Sequence, residues 1–308
     1  MRRIGELEVS VVGLGCNNFG SRIDIDQARA VVDAAIDAGV NYFDTAELYG
    51  AGQSEELLGA ALTGRRDSVC VATKWGMGVA EFAPRPGTRP AVRAALEASL
   101  NRLGTDYVDH YQLHQPDPDT DIAETLQALT ELKDEGKIRE IGCSNFSADQ
   151  LDEAVTAATA HSTASFVSVQ NHYSLLTREP EKNGVLDACA RHSIGFVPFF
   201  PLESGLLTGK YEAGKPPAEG TRMAAWGDRA SRFLNDEHLA TVEVLTEWAT
   251  ARGHTILELA MSWLVSNELV ASVIAGGTQP EQVRSNVAAA EWAITSEDRA
   301  ELAELLDR

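Results

Sequence analysis

Apolar residues in this chain fall into two patterns that alternate along most of its length. Short apolar runs at 11–14, 40–43, 69–73, 107–113, 138–143, 166–170, 195–199 and 270–275 have the length and bounding turn residues of buried strands. Between them lie stretches of helical period. Residues 26–38 place Val31, Val32, Ala35 and Ile36 on one face and stop at Gly39. Further helices are expected at 54–62 with Ser54 as cap, 88–103 ending at Gly104, 122–135 ending at Gly136, 148–158 capped by Ser147, and 184–192. Two helices, 236–252 and 256–266, precede the last strand, and 280–290 and 296–306 follow it. Residues 3–9 read as a hairpin turning at Gly5-Glu6.

Eight strand–helix units imply parallel strands joined by right-handed crossovers. Closing the sheet on itself removes both edges, so the expected fold is α/β, a (β/α)8 TIM barrel with an N-terminal β-hairpin and a C-terminal helix. An open doubly wound sheet is the alternative. No linker or low-complexity stretch splits residues 1–308, which read as one domain. The insertion 201–233 contains Gly214-Lys215-Pro216-Pro217-Ala218-Glu219-Gly220, and its 211–233 part is a candidate lid.

Active sites of such barrels lie at the C-terminal ends of the strands. Asp44 ends the second strand, Tyr49 follows in its loop, Lys74 ends the third and His114 the fourth. Reducing a carbonyl needs hydride at carbon and a proton at oxygen. A tyrosine holds its proton at neutral pH, and a nearby ammonium is expected to lower its pKa and ease release. Lys74 can be that ammonium, Asp44 its counterion, and a neutral His114 can orient the substrate oxygen. Each residue also has a plain role: Asp44 capping a helix, Tyr49 packing under a loop, Lys74 solvated, His114 bonded to backbone. Their joint arrival at neighbouring strand ends favours chemistry. His110 and His114 form H-x-x-x-H, but on a strand they stand about 13 Å apart, too far to share a metal. Gly13-x-Gly15 with Gly20 lacks the G-x-G-x-x-G spacing.

Composition narrows the partners. Hydrophobic residues make up 44% and charged residues 23% of 308, as in ordinary globular chains. A formal net charge of -20 repels a phosphate backbone, so no nucleic-acid partner is expected. The four cysteines, Cys16, Cys70, Cys143 and Cys189, are dispersed, as for reduced thiols in a cytoplasmic protein. No run approaches the ~18 apolar residues of a membrane span, and the basic start lacks a signal-peptide core.

At these residues the chain resembles the aldo-keto reductase family along essentially its whole length. The matching segments include Val12-Gly13-Leu14-Gly15, the run from Asn41 through Phe43-Asp44-Thr45-Ala46-Glu47-Leu48-Tyr49 to Gly50, Thr73-Lys74, Gln112-Leu113-His114, Gly142-Cys143-Ser144-Asn145-Phe146, Gln170-Asn171-His172-Tyr173-Ser174 and Gly205-Leu206-Leu207-Thr208-Gly209-Lys210. The resemblance implies the catalytic set Asp44, Tyr49, Lys74 and His114, and a nicotinamide cofactor stretched across the rim. It implies that Ser144, Asn145 and Gln170 hold the carboxamide and that Phe199 stacks on the nicotinamide in place of the family's usual tyrosine. It places Gly15 and Asp44 beside the cofactor, Leu202, Ser204, Leu207 and Lys210 along the pyrophosphate, and Gly276, Thr278, Gln282 and Asn286 at the adenine end. NADP(H) is the family default. NAD(H) is the alternative, because Gly276, Thr278 and Gln282 carry no positive charge for a 2′-phosphate. Asn17, Phe19, Tyr49, Trp75, His114 and Trp226 are the expected substrate walls. The substrate is a small carbonyl or alcohol, with the direction open, and oligomeric state is not readable. Competing readings are a nucleotide-binding regulatory subunit, since some family members serve as channel-associated partners, and a lyase using Lys74 as Schiff-base nucleophile.

Overall fold

The computed structural model describes residues 1–77, 85–211, 215–218, 221, 223–224, 227, 230 and 233–307. Strands β1 (Arg2–Ile4) and β2 (Leu7–Val9) pair antiparallel, with Gly5 taking the left-handed φ of +55° that the turn needs. Their alternation turns Ile4, Leu7 and Val9 inward against Tyr42, Ala72, Val197 and Ile274. The hairpin therefore plugs the end of the barrel at which the strands begin.

Eight parallel strands follow: β3 (Val12–Gly15), β4 (Tyr42–Asp44), β5 (Cys70–Trp75), β6 (Val108–Leu113), β7 (Ile138–Ser144), β8 (Ser168–His172), β9 (Gly195–Phe199) and β10 (Val273–Gly276). They pair in sequence order from β3 to β9, with β10 beside β3. The ring closes through Phe196, whose N–H donates to Leu269 and whose carbonyl accepts from Ala271, both at 2.8 Å. The run expected as one strand at 270–275 is thus shared between two neighbours. Its first part bridges β9 at Val270, and its second part pairs with β3 from Val273.

The helices form the outer layer: α1 (Ile25–Asp37), α2 (Gln53–Ala61), α3 (Arg89–Leu103), α4 (Ile122–Asp134), α5 (Ala148–His161), the single turn α6 (Glu179–Lys182), α7 (Val185–His192), α8 (Asp236–Thr250), α9 (Ile256–Val265), α10 (Pro280–Ala288) and α11 (Ser296–Leu306). Ser147 caps α5 through a capping box with Gln150. Ser54 is not the cap expected of it. Gly52, at φ +92°, takes that position, and the buried Ser54 hydroxyl donates to Cys16 O and bonds Thr45 Oγ1, each at 2.8 Å. It ties the loop after β3 to the loop after β4.

Strand alternation decides which residues reach the barrel interior. On β5, Thr73 donates to Glu55 of α2 and Trp75 stacks on Tyr111 at 4.3 Å, so both face the helices. Lys74, between them, faces inward and is fully buried, in register with Gln112 of β6. One layer below, Tyr42 Oη and Ser168 Oγ bond the two ring nitrogens of His110 at 2.8 and 2.9 Å. A side chain at Gly142 would collide with that ring, its Cβ lying 2.4 Å from His110 Nε2. Among the described residues no helix is long and apolar enough to cross a membrane.

Candidate active site

At the C-terminal rim, strand ends deliver a compact ionisable cluster. Lys74 Nζ donates to Asp44 Oδ2 at 2.5 Å, to Thr45 O at 3.0 Å and to Tyr49 Oη at 3.4 Å. The Tyr49 ring meets the His114 ring edge-on, with centroids 5.9 Å apart. The four residues predicted to share the chemistry are therefore neighbours. Asp44 does not cap a helix: its second oxygen accepts from Gln112 Nε2 at 3.2 Å and Gln170 Nε2 at 2.9 Å. Two amides thus fix the carboxylate that fixes the ammonium. Gln112 was not predicted as a site residue, although it shares the strand parity of His114, two places further on.

Burial shapes the protonation states. It is the largest influence on Lys74 and opposes its charge, but Asp44 and Tyr49 outweigh it and raise the ammonium's pKa. Lys74 stays charged. The Tyr49 pKa is raised, foremost by burial and further by Asp44, with Lys74 pulling the other way. The expectation that the ammonium would lower it is corrected here, because removal from water costs the phenolate more than the ammonium returns. Burial first, and then the Lys74 charge, push His114 down to about 3, so its imidazole is neutral. His114 Nδ1 and Gln112 Oε1 are buried without a hydrogen-bond partner.

Beside this cluster lie the residues expected to hold a nucleotide. Ser144 Oγ donates to Gln170 O at 2.7 Å. Asn145, exposed and at φ +62°, donates from Nδ2 to His114 O at 2.9 Å and to Ser144 Oγ at 3.1 Å. Phe199 is half-buried, one face stacked on His172 at 5.4 Å. Leu202 is half-buried and Ser204 is buried with an unpartnered hydroxyl. Leu207 is wholly buried in the core, so only its backbone is offered to a ligand. Lys210 is exposed, its ammonium 5.3 Å from the centre of the Tyr211 ring. Gly15 pairs with Gly276 and with Asp44 across the strand ends. Gln282 is exposed and accepts from Thr278 N at 2.8 Å, bracing the turn before α10, while Asn286 one turn on is buried.

The substrate walls differ from expectation. Trp75 is 1% exposed, its indole donating to Pro86 O, and Phe19 is 0% exposed beneath a loop bridged to Ile23. Both aromatics are structural. Trp75 follows the inward Lys74, so alternation sends it outward. Asn17 remains half-buried at the rim, and Trp226 lies outside the described residues. Leu48 and Met77 are 39% and 37% exposed on the loops that carry Tyr49 and follow Lys74. Glu47 links those loops by accepting from Gly76 N at 2.8 Å.

Comparison with known proteins gives the same outline. The Aldo/keto reductase family model matches residues 11–307. A probable voltage-gated potassium channel subunit beta from Arabidopsis thaliana is 35% identical, covering 92% of this chain and 88% of its own. An L-glyceraldehyde 3-phosphate reductase of Escherichia coli is 33% identical over 92% of this chain and 84% of its own. The structure of a glycerol dehydrogenase from Gluconobacter oxydans superposes with a TM-score of 0.84 at 29% identity, covering 100% of this chain and 95% of that one.

Proposed function

The chain belongs to the aldo/keto reductase family, and from that premise we propose that it reduces small aldehydes or ketones to alcohols with NADP(H), Tyr49 giving the proton. The observation that carries this reading is Lys74 Nζ held between Asp44 Oδ2 at 2.5 Å and Tyr49 Oη at 3.4 Å. Lys74 keeps its charge and faces the phenol, so negative charge developing on Tyr49 Oη as its proton leaves is met by the ammonium. Asp44 holds the ammonium, and Gln112 and Gln170 hold Asp44. His114, neutral, donates to the carbonyl oxygen and aims it at Tyr49.

The residues present suit a nicotinamide dinucleotide, which supplies the hydride when bound. Asn145, Ser144 and Gln170 bring amide and hydroxyl groups to one place, and Phe199 brings a half-buried ring. Ser204 has a buried hydroxyl with no protein partner, and α10 begins without a side-chain cap. The hydroxyl suits a pyrophosphate, and the helix start, at the adenine end, suits a 2′-phosphate. Gly276, Thr278 and Gln282 bring no charge to the adenine end, which keeps NAD(H) as the alternative cofactor. Leu48 and Met77 favour a substrate with an apolar substituent. Four free, buried cysteines support a reducing, cytoplasmic setting as part of the same proposal.

A kinetic screen of aldehydes and ketones against NADPH and NADH tests the reading. Turnover of several carbonyl compounds is expected, lost in Tyr49→Phe. The likeness to a channel subunit favours the second reading, a nucleotide-binding regulatory subunit. Tight NADPH binding without turnover of any carbonyl would establish that reading instead.

A further inference from the structure

The segment after β9 is held by a buried carboxylate that the catalytic set does not use. Glu203 is 3% exposed, and its Oε1 accepts from His172 Nε2 at 2.7 Å, from Thr177 Oγ1 at 2.8 Å and from the Ser174 hydroxyl. Burial alone would raise its pKa most strongly, yet the donors from His172, Ser174 and Thr177 outweigh it and keep the carboxyl ionised. The receiving side is preformed. Ser174 Oγ also accepts from Leu176 N at 3.1 Å and Thr177 N at 3.0 Å, which shapes the turn that follows β8.

The gripped loop is strained. Phe200, Glu203 and Ser204 have φ of +53°, +44° and +56°, left-handed values that side chains with a Cβ disfavour. Gly205 continues at +99°. Consecutive residues in that region persist only where the surroundings impose them. Here the Glu203 grip imposes them on one side, and the burial of Leu206 and Leu207 on the other. The residue after Glu203 is Ser204, whose buried hydroxyl is unpartnered, and the same loop ends at Lys210. His172, besides donating to Glu203, backs the Phe199 ring.

The geometry points to Glu203 as a positioning residue that locks loop 200–210 over the bound nucleotide and so sets the rate of cofactor release. This inference rests on the proposed nicotinamide site. With the grip intact, the strained turn holds Ser204 and Phe199 against the ligand. With it lost, the loop relaxes toward ordinary backbone angles and carries Ser204 away. Glu203 touches no reacting atom, so the hydride and proton transfers are not its direct concern.

Stopped-flow NADPH release and single-turnover reduction from preloaded enzyme, each on wild type, Glu203→Gln and Glu203→Ala, test the idea, with melting temperature as the folding control. Glu203→Ala is expected to release NADPH about tenfold faster, as interface losses generally appear in dissociation. Its single-turnover rate should fall far less. Glu203→Gln keeps an oxygen for Ser174 and Thr177 and should recover most of the slow release. Ser174→Ala, which trims the receiving side alone, should accelerate release several-fold and keeps the test decisive if Glu203→Ala does not fold. Wild type that binds NADPH while Ser174→Ala and any folded Glu203 variant release it at the wild-type rate would overturn the lock and leave the cofactor site standing. Wild type that binds neither NADPH nor NADH would overturn both.

Discussion

The two ends of this barrel use the same device for different purposes. Beside the hairpin, buried Asp109 accepts from Arg66 at 2.7 Å and Arg139 at 2.8 Å, and Glu140 accepts from Lys133 at 2.6 Å. At the other end Asp44 accepts from Lys74 at 2.5 Å. All three carboxylates are also tied to other groups: Asp109 to Val71 N, Glu140 to Glu6 N, Asp44 to two glutamines. The difference lies beyond the pairs. Arg66 runs on to the carbonyls of Val69 and Tyr107 through its two terminal nitrogens, while its Nε is buried without a partner. Lys74 instead points at a phenol 3.4 Å away, beside an imidazole with an unpartnered nitrogen. A buried ion pair by itself therefore says little about function. What sets the rim apart is the phenol and the neutral imidazole beside the pair, groups that can exchange a proton or a hydrogen bond with a substrate oxygen, where the hairpin end offers only guanidinium and ammonium groups.

The sharpest way to break that contrast is to remove one cation from each end. Lys74→Met should lower kcat by about a hundredfold or more, the range general acid catalysis commands. It should also destabilise the fold by about 3–5 kcal/mol, because Asp44 is left buried and unpaired. Both are readable from kinetics and urea unfolding. Asp109→Ala should cost about 3 kcal/mol of stability, since two arginines lose their partner, while kcat of the folded enzyme stays as in wild type. If Asp109→Ala silenced turnover in folded protein, the separation of the two ends would fail.

The two histidines of β6 and its end sharpen the contrast in pH. His110 and His114 are both lowered to about 3, by burial foremost and then by Lys74. A histidine with a depressed folded pKa binds its proton more readily when unfolded. Its share of stability is therefore complete above the unfolded value near ~6.5 and is lost as pH falls toward the folded one, at up to about 1.4 kcal/mol per pH unit for each ring. Urea midpoints measured between pH 7 and pH 4 should fall less steeply in His110→Asn and in His114→Asn than in wild type. Only His114→Asn should slow turnover, because both nitrogens of His110 are already occupied. The smallest effect concerns the rim: Leu48→Ala and Met77→Ala should each raise KM for apolar carbonyls by roughly tenfold or less, as losing methylenes from a pocket does.

Much of this was legible in the sequence, for physical reasons. Strand period and strand ends put Asp44, Lys74 and His114 on one rim, and the barrel followed from the repeating unit. Alternation should also have sent Trp75 away from the site and drawn Gln112 into it, because neighbours of an inward lysine face outward while residues two apart share a face. Phe19 was unreadable in that way, since loops have no period. The grip of Glu203 on His172, Ser174 and Thr177 joins groups about thirty residues apart across two loops, a pairing that only tertiary packing sets. The drop expected in the Tyr49 pKa failed because charge was weighed without desolvation.

The central claim is that the open phenol beside Lys74 gives the proton. Its most direct test is the kcat of Tyr49→Phe on a good aldehyde, with NADPH binding followed in parallel. The variant should fold and bind NADPH as wild type does, and turn over at least about a hundredfold more slowly. Undiminished turnover in a folded, NADPH-binding Tyr49→Phe would contradict it.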